Sequence, residues 1–207
     1  MTLLVVLDYA SVFIFALTGA LVASRAQLDV VGFAFIACLT AVGGGTIRDL
    51  LLDRNPVFWL ADPTVVGVAV GASVLVFFTA HLFESRYRVL IWLDAVALSV
   101  AVSAGVAVAQ SLNQSGVVVV IMGMITGCLG GLLRDVVCNE VPLVLKQGEL
   151  YVSAAFGGAF AAVVTAQLAV PPLAISLACM TTTIVLRAGS VAFGWSIPVY
   201  RPRPPKL

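Results

Sequence analysis

The sequence predicts an all-α integral membrane protein: seven transmembrane helices, arranged as two inverted three-helix repeats plus a seventh helix, with kinked second and fifth helices. Three observations carry this. Of 207 residues, 10% are charged and 61% apolar, with a mean hydropathy of +1.13, whereas a soluble domain carries about 25% charge. Polar clusters divide the chain into seven apolar stretches of about 20 residues, enough to cross roughly 30 Å of hydrocarbon as a helix. Finally, the chain aligns with itself without gaps at a constant offset of 86 residues.

The stretches run over 3–23, 30–52, 64–83, 89–110, 116–138, 150–170 and 173–193. Short connections rich in turn-formers and charge separate them, leaving no room for a soluble catalytic domain. The first stretch lacks a basic leader and is interrupted by Asp8, so it reads as a retained helix rather than a cleaved signal. Lys and Arg concentrate on the cytoplasmic side of membrane proteins. An outside N-terminus puts Arg25, Arg86, Arg88, Lys146, Arg201, Arg203 and Lys206 there, with Arg54 the exception. The net charge of +1, without a basic block, excludes nucleic-acid binding by phosphate neutralisation. Cys38, Cys128, Cys138 and Cys179 all lie in apolar runs without a CxxC pair and read as reduced core residues.

In the self-alignment Asp8 falls on Asp94, Gly19 on Gly105, Gly44-Gly45 on Gly130-Gly131, Arg48-Asp49 on Arg134-Asp135 and Pro56 on Pro142. Gly, Pro, Asp and Arg are too particular to coincide this often in unrelated apolar helices. Each copy holds three spans, an odd number, so the second enters the membrane from the opposite side. Such inverted repeats with interrupted helices build pathways near the midplane of transporters and some channels. The boundaries follow: 1–88 is the first repeat, 89–170 the inverted second, and 171–207 the seventh helix with a short cytoplasmic tail.

The middle span of each repeat carries glycines followed by Arg-Asp: Gly43-Gly44-Gly45-Thr46-Ile47-Arg48-Asp49 and Gly130-Gly131-Leu132-Leu133-Arg134-Asp135. Consecutive glycines each weaken a helix by about 1 kcal/mol relative to Ala, which predicts a kink or unwound turn; tight helix contact is the alternative reading of the same residues. An arginine at membrane depth costs about 2.5–3.5 kcal/mol unless hydrated or paired. Residues i and i+1 point apart on a helix, so Arg48 and Asp49 read as poor partners for each other. The competing reading has both Arg-Asp pairs snorkelling at helix ends.

Asp8 and Asp94 sit towards helix N-termini, where a carboxylate favours the macrodipole. Gly123, Gly127 and Gly131 on one span, and Gly67 and Gly71 on another, read as close-packing faces. Arg187 is expected to snorkel to the interface, and Phe58-Trp59 to anchor there. His81, the single histidine, has no ligand partners in sequence, and GGGTIRD lacks the GK[ST] ending of a phosphate-binding loop. No cofactor and no enzymatic activity are expected.

GGGTIRD in the second span, GGLLRD in the fifth, the trailing Pro56 and Pro142 and the three-plus-three-plus-one layout together resemble the prokaryotic branch of the trimeric intracellular cation (TRIC) channel family. The resemblance covers nearly the whole chain. It implies a homotrimer in membrane lipid with one pore per protomer, lined by the two kinked helices and passing K+ and Na+. Carried over, Gly43, Gly44, Gly45, Gly130 and Gly131 would be the kinks and Arg134 the basic pore residue. Arg48, Asp49, Asp135 and Thr46 join it as pore or gating candidates, with Asp49 the leading counter-charge for Arg134. Arg134 stands where animal members carry Lys, Leu129 where a third Gly is usual, and the long basic tail is absent, so phosphoinositide and calcium regulation are not implied. The same domain family has been proposed to include small amino-acid transporters, which gives transport of a solute such as glycine as the alternative. A bacterial plasma membrane suits the short loops.

Overall fold

The computed structural model describes residues 3–82, 85–198 and 200; the tail cations Arg201, Arg203 and Lys206 lie outside them. The described residues form helices α1 (Leu3–Arg25), α2 (Val30–Leu51), α3 (Phe58–Ala61), α4 (Thr64–Thr79), α5 (Arg86–Ser111), α6 (Gly116–Val137), α7 (Val152–Ala166) and α8 (Pro172–Phe193). A 3-10 turn over Ala80–Leu82 extends α4, and another, Leu143–Leu145, follows α6. Six helices are long and apolar enough to cross a membrane: α1, α2, α4 with its extension, α5, α6 and α8. α7, where the sequence suggests a span over 150–170, has 15 helical residues.

Local chemistry sets the helix ends. The Asp29 side chain accepts the Gly32 N–H at 2.7 Å at the start of α2, the usual N-cap bond. Pro172 occupies the first helical position of α8, and Gly194 ends that helix at φ 71°, a left-handed cap that favours glycine. The chain reversals after α1 and α5 carry positive φ at Gln27 and Asn113, and those after α2 and α6 at Asp53 and Asn139. Each pair is related by the 86-residue offset. Backbone bonds recur in the same register: Arg54 N–H to Asp49 C=O and Glu140 N–H to Asp135 C=O, both 2.8 Å.

α1 packs on α2, α4 and α5; α5 packs on α6, α7 and α8; and α2 crosses α6. α1 and α5 therefore form the centre. They present small, fully enclosed side chains, among them Ala16, Ala20, Ala23, Ala97 and Ala101. In lipid the hydrocarbon is as apolar as leucine, so close van der Waals contact between small residues is what holds such helices together. α8 lies against α5 and α7 and has no counterpart in the first repeat.

Both glycine clusters depart from the sequence expectation of an unwound turn. α2 and α6 remain α-helical through Gly43–Gly45 and Gly130–Gly131. The glycines serve instead at the crossing of these helices. A methyl group on Gly44 would fall far inside contact distance of the Thr126 carbonyl, and one on Gly130 would strike the Thr40 carbonyl in the same way. Thr40 and Thr126 are themselves offset partners, each bonding back to its own helix, at Ile36 and Met122. Gly123 and Gly127 pack against Val106, Val102 and Leu98 of α5, as a close-packing face should. Gly67 and Gly71 do not: a methyl on either meets nothing within 4 Å.

These contacts order four substitutions. Gly44→Ala and Gly130→Ala should each destabilise the protein by about 1–3 kcal/mol, because backbone must move to admit the methyl. Gly67→Ala and Gly71→Ala should be neutral or stabilising by about 0.5–1 kcal/mol through helix propensity. Thermal unfolding in detergent measures the order, and equal losses at all four positions would contradict the crossing contact.

Candidate functional site

Two ionic clusters lie where α2 and α6 face α1 and α5. In the first, Arg48 Nε donates to Asp49 Oδ1 at 2.8 Å and its Nη1 to Asp8 Oδ1 at 3.0 Å. In the second, Arg134 Nε donates to Asp135 Oδ1 at 2.7 Å and its Nη1 to Asp94 Oδ1 at 2.9 Å. Both arginines and all four of these carboxylates map from one cluster onto the other by the 86-residue offset.

The adjacent-residue pairing corrects the expectation that Arg48 and Asp49, or Arg134 and Asp135, face apart. Their side chains do leave the helix at different angles. The guanidinium, however, is a planar fork with five donors on a long stem, so its Nε edge turns back to the neighbouring carboxylate while Nη1 crosses to the next helix. Each of those carboxylates also receives the backbone beyond its helix: Asp49 Oδ2 accepts the Phe58 N–H at 2.8 Å and Asp135 Oδ2 the Leu143 N–H at 2.9 Å. Asp49 and Asp135 thus tie each arginine to the chain segment that follows.

Both arginines are wholly enclosed, at 0% exposure, which overturns the snorkelling reading. The counter-charges of Arg134 are Asp94 and Asp135, not Asp49, which belongs to the Arg48 cluster. Asp8 and Asp94 lie beyond the first turn of their helices and act as ion-pair partners rather than macrodipole charges. Each buried cation meets two carboxylates. A charged pair removed from water is tolerable only when such bonds satisfy both sides.

The clusters differ in their surroundings. Arg134 Nη1 also donates to Thr18 Oγ1 at 2.9 Å; the offset position of Thr18 is Ala104, so Arg48 has no such bond. Arg54 approaches Asp49 Oδ1 at 3.5 Å with its own side chain 36% exposed. Asp8 retains 12% side-chain exposure, whereas Asp94 has none. Phe58 is buried, with the Arg48 guanidinium 5.4 Å from its ring centre, and Trp59 Nε1 donates to Thr46 Oγ1 at 2.9 Å. Phe58 thus covers the first cluster rather than standing exposed at an interface, while Trp59, half-buried, holds Thr46.

Arg187 is likewise buried rather than snorkelling. It bonds Glu149 Oε2 at 2.8 Å and lies over the Tyr151 ring, 4.9 Å from its centre. Burial pushes the Glu149 carboxyl up, but hydrogen bonds from Lys146 and Arg187 outweigh it and hold the group below the usual glutamate range. Sequence reasoning misses Tyr151 and Thr18, which no pattern distinguishes. Arg187 carried a signal, as the lone charge in an otherwise uncharged α8.

Between the halves a cavity of about 10 Å³ is lined by Asp8, Thr40, Gly44, Arg48 and Thr126 among others, space for roughly one water molecule. The α2–α6 crossing and the first ionic cluster therefore share one small polar space. Among the described residues, no group of three or more His, Cys, Asp and Glu side chains gathers to hold a metal.

Enclosure of the second cluster has a measurable consequence. Asp94→Asn should destabilise the protein by about 3–5 kcal/mol, the usual result of removing one partner from a buried pair. Asp8→Asn, at a carboxylate that retains some solvent contact, should cost less. Chemical unfolding in detergent tests this order, and a larger loss for Asp8→Asn would contradict it.

The family model described as glycine transporter matches residues 5–81 and again 91–167, two ranges displaced by the same 86 residues as the internal repeat. The UPF0126 inner membrane protein YadS of Escherichia coli K12 is 37% identical over 199 residues, covering 94% of each chain. A UPF0126 membrane protein of Vibrio cholerae is 34% identical, over 96% of this chain and 83% of that one. Among solved structures, the trimeric intracellular cation channel orthologue from Rhodobacter sphaeroides superposes with a TM-score of 0.90 at 41% identity, over 94% of this chain and all of that one. A second structure, solved to explain conductance through TRIC cation channels, gives a TM-score of 0.85 at 30% identity, over 99% of this chain and all of that one. With agreement in sequence and fold over nearly its whole length, the chain belongs to the trimeric intracellular cation channel family.

Proposed function

We propose that this chain is a channel for the monovalent cations K+ and Na+, acting as a homotrimer in a bacterial inner membrane with one pore inside each protomer. The observation that carries the reading is the α2–α6 crossing: offset-related Gly-Thr contacts narrow the contact between the halves to a space of one water, bounded by the Arg48–Asp8 pair. The likeness to solved cation channels supports it. Residues 1–88 and 89–170 act as inverted repeats, 171–207 adds the seventh span and the cytoplasmic tail, and α7 makes the sixth span together with its flanking residues. The N-terminus lies outside and the C-terminus in the cytoplasm.

A lone arginine in the pathway would repel a cation about 4 Å away by ~1 kcal/mol in water and by several times more in a confined passage. Here each arginine is outnumbered by two carboxylates. The positive charge is thereby neutralised, and Asp8, the more accessible of the four, offers an acceptor to a passing ion. Thr40, Thr126 and the nearby carbonyls give loose coordination, unlike the carbonyl rings of a potassium filter, so discrimination between K+ and Na+ is weak. Passage requires α2 and α6 to part. Their glycine clusters, intact helix in the closed contact, bend as the crossing opens, and Arg134 moves with the hinge at Gly130-Gly131.

Purified protein in planar bilayers should pass K+ and Na+ with reversal potentials showing a permeability ratio near one. The absence of cation current, together with saturable glycine counterflow in liposomes, would establish the solute-transporter reading instead. Arg134→Lys keeps the charge but loses the fork that reaches Asp94 and Asp135 together; it should alter open probability by about tenfold, the factor equivalent to ~1.4 kcal/mol, while native mass measurement still returns trimers. Wild-type gating in that variant would remove Arg134 from the gate, and a monomer or dimer in lipid nanodiscs would remove the trimer.

A further inference from the structure

The Arg134 cluster has a neighbour that the Arg48 cluster lacks. Tyr151 stands one residue before α7 and is 2% exposed; the offset partner of Tyr151 is Val65, which has no hydroxyl. Tyr151 Oη, Asp94 Oδ2 and Arg134 Nη2 are buried polar atoms without a hydrogen-bond partner. They belong to side chains that converge beside Gly131. From the position a methyl group on that glycine would take, Tyr151 Oη is 3.2 Å away, Asp94 Oδ1 3.5 Å and Arg134 Nη2 3.6 Å.

A phenol hydroxyl both donates and accepts, whereas an ionised carboxylate only accepts and a guanidinium only donates. Tyr151 is therefore the group able to serve the free acceptor of Asp94 and the free donor of Arg134 at once. Its ring is held from the other side: the Arg187 guanidinium covers it at 4.9 Å, and Arg187 is fixed in turn by Glu149 at 2.8 Å. Glu149 also bonds Lys146 at 2.5 Å in the loop between α6 and α7. A continuous series of contacts thus runs from that loop, through α8, to the Arg134–Asp94 pair.

We infer that Tyr151 is a positioning residue for Arg134, its hydroxyl meeting the Arg134–Asp94 pair as that pair shifts from the closed contact, and its ring held in place by Arg187 and Glu149. This rests on the channel reading above and deepens it. α8, the helix outside the repeat, thereby stiffens one half of the pathway and not the other.

Tyr151→Phe keeps the ring and its cover by Arg187 and removes the hydroxyl alone. In planar bilayers the full-length variant should keep its single-channel conductance and trimeric mass, while open probability at a fixed voltage changes about tenfold. Arg187→Lys, which keeps the charge towards Glu149 but not the flat cover over the ring, should shift gating in the same direction by less. It carries the test by itself should Tyr151→Phe fail to assemble. Wild-type open probability in the assembled variants would overturn the assignment.

A second readout needs no current. Cys128 shares a core with Tyr151, and its labelling by N-ethylmaleimide, followed by peptide mass mapping, should be several-fold faster in Tyr151→Phe than in wild type. Equal rates would overturn the positioning role. If wild-type protein passes no cations yet Cys128 labelling responds to Tyr151→Phe, the channel reading fails and the positioning of Arg134 by Tyr151 stands.

Discussion

Everything in this molecule is arranged around two guanidinium groups enclosed away from bulk solvent. An enclosed charge at membrane depth is stable only when opposite charge and hydrogen bonds take the place of its hydration. Arg48 and Arg134 each answer this demand through Nε and Nη1, with one carboxylate from their own helix and one from a neighbour, Asp49 and Asp8 or Asp135 and Asp94, and each leaves Nη2 without a partner. The requirement fixes which helices touch. α2 must lie on α1 and α6 on α5, at rotations that aim both long side chains inward. The same carboxylates then hold the backbone at Phe58 and Leu143, so the chain leaving each helix is also set by the charge inside it.

Those pairs also account for the glycines. With α2 and α6 both drawn against the central α1 and α5, they meet each other where any side chain would collide with a carbonyl, and Gly44 and Gly130 stand at those points. The helix penalty of glycine, about 1 kcal/mol relative to Ala, is offset by contacts that lipid cannot supply. Intrinsically weak helix is thereby placed at the crossing between the halves. Low propensity and close approach are two consequences of one missing methyl group, and both act on the crossing that opening must loosen.

Much of this was legible in the sequence. The six longer spans, the 86-residue offset and the Arg-Asp motifs all follow from composition and from pairing of residue types, and the offset returns in cap geometry, ion pairs and glycine contacts alike. The failures have a common cause. Helical angles suggested that Arg48 and Asp49 diverge, but a long, jointed side chain is not bound to the direction of its Cα–Cβ bond. Glycine weakness suggested an unwound turn, but packing outweighed propensity. Hydropathy reads Arg187 and Phe58 as interfacial because it reports composition and not the partner helix, and the bond that holds Arg187 comes from Glu149, 38 residues away in sequence. Tyr151 had no signal because its role exists only after α7 and α8 have packed.

Duplication supplies a symmetric frame, and function in such a frame depends on where the copies diverge. The Arg48 half has a partly exposed second cation at Arg54, some solvent contact at Asp8 and the one-water cavity. The Arg134 half has an extra bond to Thr18, the cover of Tyr151 and Arg187, and a fully enclosed Asp94. One copy is thus wetter and more loosely surrounded, the other dry and braced by a helix that the repeat does not contain. Two identical halves would resist separation equally and give the crossing no preferred side on which to yield. Bracing around Arg134 makes the two halves unequal, and α8 provides that bracing from outside the repeat without adding a residue to the contact between α2 and α6.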